Sequence, residues 1–195
     1  NFKWNWKVFS EEKKKLKINY PPDHVINKQE VLKNLQKHKS DSYVMWLDHA
    51  SFIIKLGNTT IITDPVFEKN YGPFWFGPKK YVESPLTLKE LPEINLFLLT
   101  HNHYDHMSIR TIKNFPYKNT KVLVPLKLGK YFTRNGYKKD NVKEMDWFNK
   151  IKINDEITIT MLPAQHWSKR WIWGDGNTDR SLWGSFLIEY KGKKI

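Results

Sequence analysis

The sequence contains no cysteine, which excludes disulfides and any metal site held by thiolates. It has no apolar run near the roughly 20 residues that a membrane-spanning helix needs. No internal repeat and no change in composition marks a second domain, and 195 residues are enough for one well-cored domain. Acidic residues are scarce beside basic ones, 20 against 33, for a formal charge of +13. That balance suits an anionic partner (phospholipid, nucleic acid or a phosphorylated small molecule) and suits equally a solvated lysine-rich surface. Only Lys13, Lys14, Lys15 and Lys17 form a dense basic run. An initiator Met is also missing, since the chain opens on Asn1. A signal or anchor removed ahead of it stays open, and with it a peripheral membrane, cytoplasmic or exported location.

What is present is a folded composition, with 39% hydrophobic residues and nine Trp. Residues 1–42 read as an N-terminal arm. Phe2, Trp4, Trp6 and Val8 alternate with polar residues, as in an extended segment. Such an arm either packs its Trp side chains onto the domain or touches a membrane interface. A short helix within residues 25–39 is expected to bring Val31, Leu32 and Leu35 to one side. Residues 43–195 read as the domain proper. Strands are expected at residues 43–47, 51–56 and 59–63 as a meander, then at 94–99, 121–124 and 142–145. A hairpin is expected at 151–153 and 157–161, and further strands at 182–190 and from 193. Helices are expected at 108–115, capped by Ser108, and at 126–135, closed by Gly136. Strands first, then strands alternating with helices, argue for α/β layers. The long connection over residues 66–85 carries Phe74, Trp75 and Phe76, which suit either an apolar pocket or a loop that buries its own rings.

The stretch Thr100-His101-Asn102-His103-Tyr104-Asp105-His106 follows directly on an apolar strand and offers four metal ligands within six residues. Imidazole and carboxylate suit zinc and its neighbours. A second strand ends in Pro163-Ala164-Gln165-His166-Trp167, making His166 the natural third ligand beside His101 and His103. Three His with an open position is a catalytic rather than a structural arrangement.

The His-x-His-x-Asp-His pattern resembles the metallo-β-lactamase superfamily. Asp48-His49-Ala50, Thr63-Asp64-Pro65, Gly77-Pro78-Lys79-Lys80-Tyr81, Pro163 to Trp167 and Trp183-Gly184-Ser185 follow in order. Together they resemble the N-acyl-phosphatidylethanolamine-hydrolysing phospholipases D and their bacterial relatives. The resemblance implies an αββα sandwich, here C-terminally incomplete, because the family's metal-bridging Asp and a later His lie beyond Ile195. It implies two zinc ions, with manganese or iron as alternatives. His101, His103 and His166 would hold one, and Asp105 and His106, the catalytic pair, would hold the second. His49 falls to the pocket or the surroundings of the ligands. Asp64 would orient a ligand His through its free ring N–H, or cap the turn before Pro65. Lys79, Lys80 and Arg170 would steer an anionic headgroup beside Trp167. Asp48 stands where the family has Gly, and Asp175 lies too early in the chain to be the bridging Asp. The implied activity is a phosphodiesterase acting on a phospholipid-like substrate, weak in this chain alone. The alternatives are another hydrolase of the superfamily, such as a lactonase or nuclease, and an inactive module that binds lipid or nucleic acid. The phospholipase-like strings argue against the nucleic-acid substrate that charge alone would suit. Exposed strand edges leave room for a complementing chain or a homo-oligomer.

Overall fold

The structure, a computed structural model, describes residues 24–73, 77–80, 82–170 and 178–195. Helix α1 spans Lys28–Lys37, its first turn closed by the Asn27 side chain accepting from Glu30 N–H. Strands β1 (Tyr43–Asp48), β2 (Ser51–Leu56) and β3 (Thr59–Thr63) form an antiparallel meander. β4 (Leu96–Leu98), β5 (Lys121–Pro125) and β6 (Val142–Met145) continue the same sheet in parallel. They are joined by α2 (Ile109–Asn114), capped by Ser108 on Thr111 N–H, and by α3 (Gly129–Thr133). A second, antiparallel sheet contains β7 (Lys150–Lys152), β8 (Ile157–Leu162), β9 (Ser185–Tyr190) and β10 (Lys193–Lys194), in the order β10-β9-β8-β7.

The inner strands are apolar on both faces because both faces are covered. Ile53, Ile62, Phe97, Val122 and Val124 point to the helices, among Val31, Ile112, Phe115 and Phe132. Their neighbours Ile54, Ile61, Leu96, Leu98 and Leu123 point to the second sheet, against Ile157, Ile159, Met161 and Ile188. Helices, large sheet and small sheet thus form three layers of a metallo-β-lactamase fold. Among the described residues no helix covers the outer face of the small sheet. Gly184 is required where β9 enters this stack, since a Cβ there would sit 2.6 Å from the Leu162 carbonyl oxygen.

Several local expectations are corrected by tertiary contacts. The helix expected over residues 126–135 shrinks to α3, because Leu126 N–H bonds to Met145 O and Lys127 takes a positive φ of 72°. β9 begins at Ser185, not 182, because Leu182 N–H bonds to Leu126 O and Gly184 N–H to Thr100 O. In α1, Val31 is buried and Leu35 packs beside it against the helix-side core, but Leu32 turns outward. Phe74, Trp75, Phe76, Asp175 and residues 1–23, for which expectations are given above, lie outside the described residues.

Candidate metal centre

The topology decides which side chains meet. β1 and β3 both run antiparallel to β2, and β4 runs parallel to β3. All three therefore end at one edge of the large sheet. His49 follows β1, Asp64 follows β3, and Thr100 to His106 follow β4. His166 comes from the other sheet, after β8, and the Gly184 N–H bond to Thr100 O holds the two sheets together there.

His101 Nε2, His103 Nδ1 and His166 Nε2 form a triangle with sides of 3.0, 3.1 and 2.9 Å. The protons around it can be assigned. Asp64 is buried, and its carboxylate only accepts. Thr100 Oγ1 lies 2.6 Å from Asp64 Oδ2 and therefore donates to it, so it must accept from His101 Nδ1 at 2.9 Å. His101 thus carries its proton on Nδ1 and turns a lone pair on Nε2 into the triangle. With His101 as acceptor, both other rings would have to donate to it, and those two would then face each other with protons. No protonation of three neutral rings satisfies all three sides. A cation at the centre does, so the donor set fits a divalent metal. His101 Nε2 is held unprotonated well below the usual range, at about 2, by burial first and then by its histidine neighbours. Burial and His166 likewise lower His103.

Asp64 is the hub behind this edge. Besides Thr100 Oγ1 it accepts from Thr100 N–H at 2.7 Å and from His106 Nδ1 at 2.8 Å. The His106 bond leaves Nε2 of that ring as the free ligand atom. Burial opposes protonation of His106, but the Asp64 bond and charge, followed by Asp105, outweigh it and raise its pKa. A second group forms beside the triangle. Asp105 Oδ2 lies 3.0 Å from His49 Nε2 and 3.7 Å from His106 Nε2, and ligand atoms of these three residues lie within 4.8 Å of one another. Asp64, His101 and His106 meet the same distance test, but the hydrogen bonds already held by Asp64 make it the orienting partner.

The structure thus brings together His101, His103 and His166, and separately Asp105 and His106. It places Asp64 behind both groups and moves His49 from the surroundings into the second one. Trp167 lies at the rim, its ring 5.3 Å from His103. It shares a pocket of about 460 Å³ with Tyr71, Pro78, Asp105, Lys169 and Arg170. Two basic residues are placed differently from the expectation. Lys80 cannot meet a headgroup: its side chain is 2% exposed and its ammonium is held by Asp48 and Val66 O. Asp48 is the buried partner of that pair, and His49 after it takes a left-handed φ of 35°. Arg170 lines the pocket but spends Nη1 on the carbonyls of Asn102 and Met107. Its guanidinium lies 4.1 Å from the Tyr104 ring centroid, and Tyr104 donates back to Arg170 O. This knot ties the histidine loop to the His166 segment. Lys79 is exposed, paired backbone to backbone with Asn70. Sequence reasoning missed Thr100 and Lys169; the register of Thr63 beside Leu98 is what sets Thr100 next to Asp64.

A layered fold with histidines gathered at one strand edge defines a class, and residues 59–195 match the family model of the Beta-lactamase superfamily domain. The chain belongs to that superfamily. It is 33% identical over 161 residues to the mitochondrial N-acyl-phosphatidylethanolamine-hydrolyzing phospholipase D of Saccharomyces cerevisiae, covering 80% of this chain and 33% of that protein. With N-acyl-phosphatidylethanolamine-hydrolyzing phospholipase D 1 of Caenorhabditis elegans it shares 31% over 159 residues, 77% of this chain and 44% of that one. The chain therefore spans less than half the length of these two relatives. Among solved structures, the diiron β-hydroxylase CmlA of Streptomyces venezuelae superposes with a TM-score of 0.54 at 24% identity, over 80% of this chain and 28% of that chain. That likeness is one of fold.

Proposed function

We propose that this chain carries the metal centre of a metal-dependent hydrolase that cleaves the phosphodiester of an N-acylated phosphatidylethanolamine or a similar anionic phospholipid. The convergence of His101, His103 and His166 carries the reading, and the two phospholipase D relatives supply its substrate class. His101, His103 and His166 would hold one metal, and His49, Asp105 and His106 a second. We take zinc as the metal because three imidazoles with an open position suit it. When bound, the metals supply Lewis acidity and an activated water.

The chain's own residues prepare that chemistry. Asp64 and Thr100 fix the ring protons of His101 and His106 on Nδ1, so that both Nε2 atoms face outward. Asp105 brings a negative charge that would partly balance the metal ions. The adjoining pocket pairs apolar walls, Tyr71 and Trp167, with the cation of Lys169. This is the chemistry of an amphiphile with an anionic head. Purified chain loaded with Zn²⁺ and given synthetic N-acylphosphatidylethanolamine is expected to release phosphatidic acid, with turnover falling at least a hundredfold in Asp105→Asn. Release of free fatty acid, or turnover indifferent to Asp105→Asn, would overturn the reading. So would undiminished zinc binding after His101→Ala and His103→Ala together.

A further inference from the structure

The described residues leave three large aromatic side chains exposed: Trp46 at 49%, Phe148 at 70% and Trp167 at 51%. All three lie at the sheet edge that carries the metal centre. Trp46 stands near the end of β1 and donates from Nε1 to His49 O at 3.0 Å. Trp167 follows His166. Phe148 follows β6, which runs parallel to β5 and β4, and its N–H bonds to Met161 O near the end of β8. β1 and β6 are the two outer strands of the large sheet. At about 4.8 Å per strand they stand roughly 24 Å apart, so the exposed rings flank the metal centre on both sides. Phe148 is also strained. Its φ of 67° is one that bulky residues rarely adopt, and the turn that fixes it is closed by bonds from Asp146 N–H to Asn149 Oδ1 and from Asn149 N–H to Asp146 O. With most of its surface in solvent, the ring has little contact within the chain to offset that strain. Lys69, Lys79 and Lys127 are exposed on the segments that follow β3 and β5 at the same edge. The acids beside them are hydrogen-bonded within the chain: Glu68 with Thr111 Oγ1, Glu144 with Gly129 N–H and Asp146 with Trp147 N–H.

We propose that this edge docks on an anionic phospholipid bilayer, with Trp46, Phe148 and Trp167 entering the interface and Lys69, Lys79 and Lys127 meeting the headgroups. The inference rests on the lipid substrate proposed above and adds which side of the molecule the bilayer meets. Trp and Phe side chains settle at the headgroup level of a bilayer, and lysines near an anionic leaflet strengthen attachment. A bilayer can meet rings about 24 Å apart at once, which a small ligand cannot. Docked in this way, the chain holds its metal centre against the surface from which a lipid headgroup must come. A second copy is a poorer partner for this edge, because each chain carries a formal +13 and like charges resist association.

The test uses the full chain and vesicles of phosphatidylcholine with phosphatidylglycerol, free of N-acylated lipid, so that it does not depend on turnover. The chain is expected to sediment with them. Net charge alone would produce that, so variants must locate the contact. Phe148→Asn places a residue that tolerates the left-handed φ. It should unfold at no lower urea concentration than the parent, while vesicle affinity falls about fivefold through the lost ring. Lys79→Gln and Lys127→Gln should each lower affinity about fivefold. Lys121 starts β5 and Lys139 precedes β6, so both lie at the opposite edge. The length of β5 sets that edge roughly 16 Å back, about two Debye lengths, and Lys121→Gln and Lys139→Gln should each lower affinity less than twofold. Equal losses at the two edges, or vesicle affinity unchanged in Phe148→Asn, would overturn the proposal. A parent dimer that Phe148→Asn converts to monomer, with vesicle affinity unchanged, would give the edge to a second copy. The expected losses without release of phosphatidic acid from N-acylphosphatidylethanolamine would uphold the docking surface and overturn the substrate reading alone.

Discussion

Asp64→Asn is nearly isosteric, and Asn tolerates the left-handed φ of 38° at this position. It nevertheless removes a charge and turns one oxygen into a donor. Oδ1 can still accept from Thr100 N–H. The new NH₂ then occupies the place of Oδ2, facing Thr100 Oγ1 and His106 Nδ1, which both donate there. The hydroxyl can rotate to accept. The imidazole can accept only by moving its proton to Nε2, which converts the outward ligand atom into an N–H. The variant should therefore lose the second metal before the first. Hydrogen bonds to a charged group are worth about 1.5–3 kcal/mol each, so the loss of charge should cost stability on the order of 2–3 kcal/mol. Loss of a ligand-orienting partner typically weakens metal binding about 10–100-fold. Calorimetric zinc titration would read the affinities, and ¹⁵N shifts of the His106 ring would read the tautomer. A second affinity within twofold of the parent, with His106 still protonated on Nδ1, would refute the proton assignment on which the site's description rests.

Lys80→Met strands the Asp48 carboxylate in the core and should cost about 3–5 kcal/mol in urea unfolding; adding Asp48→Asn should recover much of it, and a neutral single variant would show that the pair is not buried. Arg170→Lys keeps the charge but not the planar stack on Tyr104 or the two-carbonyl contact, so zinc affinity at the three-histidine site should fall about tenfold, measured by competition with a chelator; unchanged affinity would remove its role in holding the loop. In the metal-stripped chain, the lowered folded pKa values of His101 and His103 mean that below about pH 6.5 the unfolded state takes up protons that the folded state refuses. Stability should fall with decreasing pH there, by about 1.4 kcal/mol per pH unit from His101 alone. His106, raised, acts with the opposite sign, adding stability below its unfolded pKa that is lost as pH rises through its folded one. Urea melts at pH 7 and 5 should show the acid loss, and an equal slope in His101→Gln would dismiss His101 as its source.

The elements with strong local signals were legible in sequence. Ile53-Ile54 and Ile61-Ile62 lie in strands whose two covered faces demand apolar residues throughout, and Ser108 supplies the oxygen that starts α2. α3 and β9 came out shorter because Leu126 and Leu182 bond to other segments, which no local pattern announces. The ligand triangle was visible because its members follow strand ends in tight strings. The place of His49 against Asp105 was not, since it depends on β1 and β4 ending at the same sheet edge. Lys80 shows the converse limit: a Gly-Pro-Lys-Lys string looks exposed, yet this lysine turns inward to Asp48.

The triangle also brings together two strand ends that no covalent cross-link joins. His101 leaves the large sheet, His166 leaves the small one, and they are 65 positions apart in sequence. A cation held between them would act as a cross-link in a protein without cysteine. By loop-closure entropy, a link across that span is worth about 4 kcal/mol. Holding and releasing such an ion would amount to fastening and unfastening the two sheets, and the resistance of the fold to unfolding would become a function of free metal concentration.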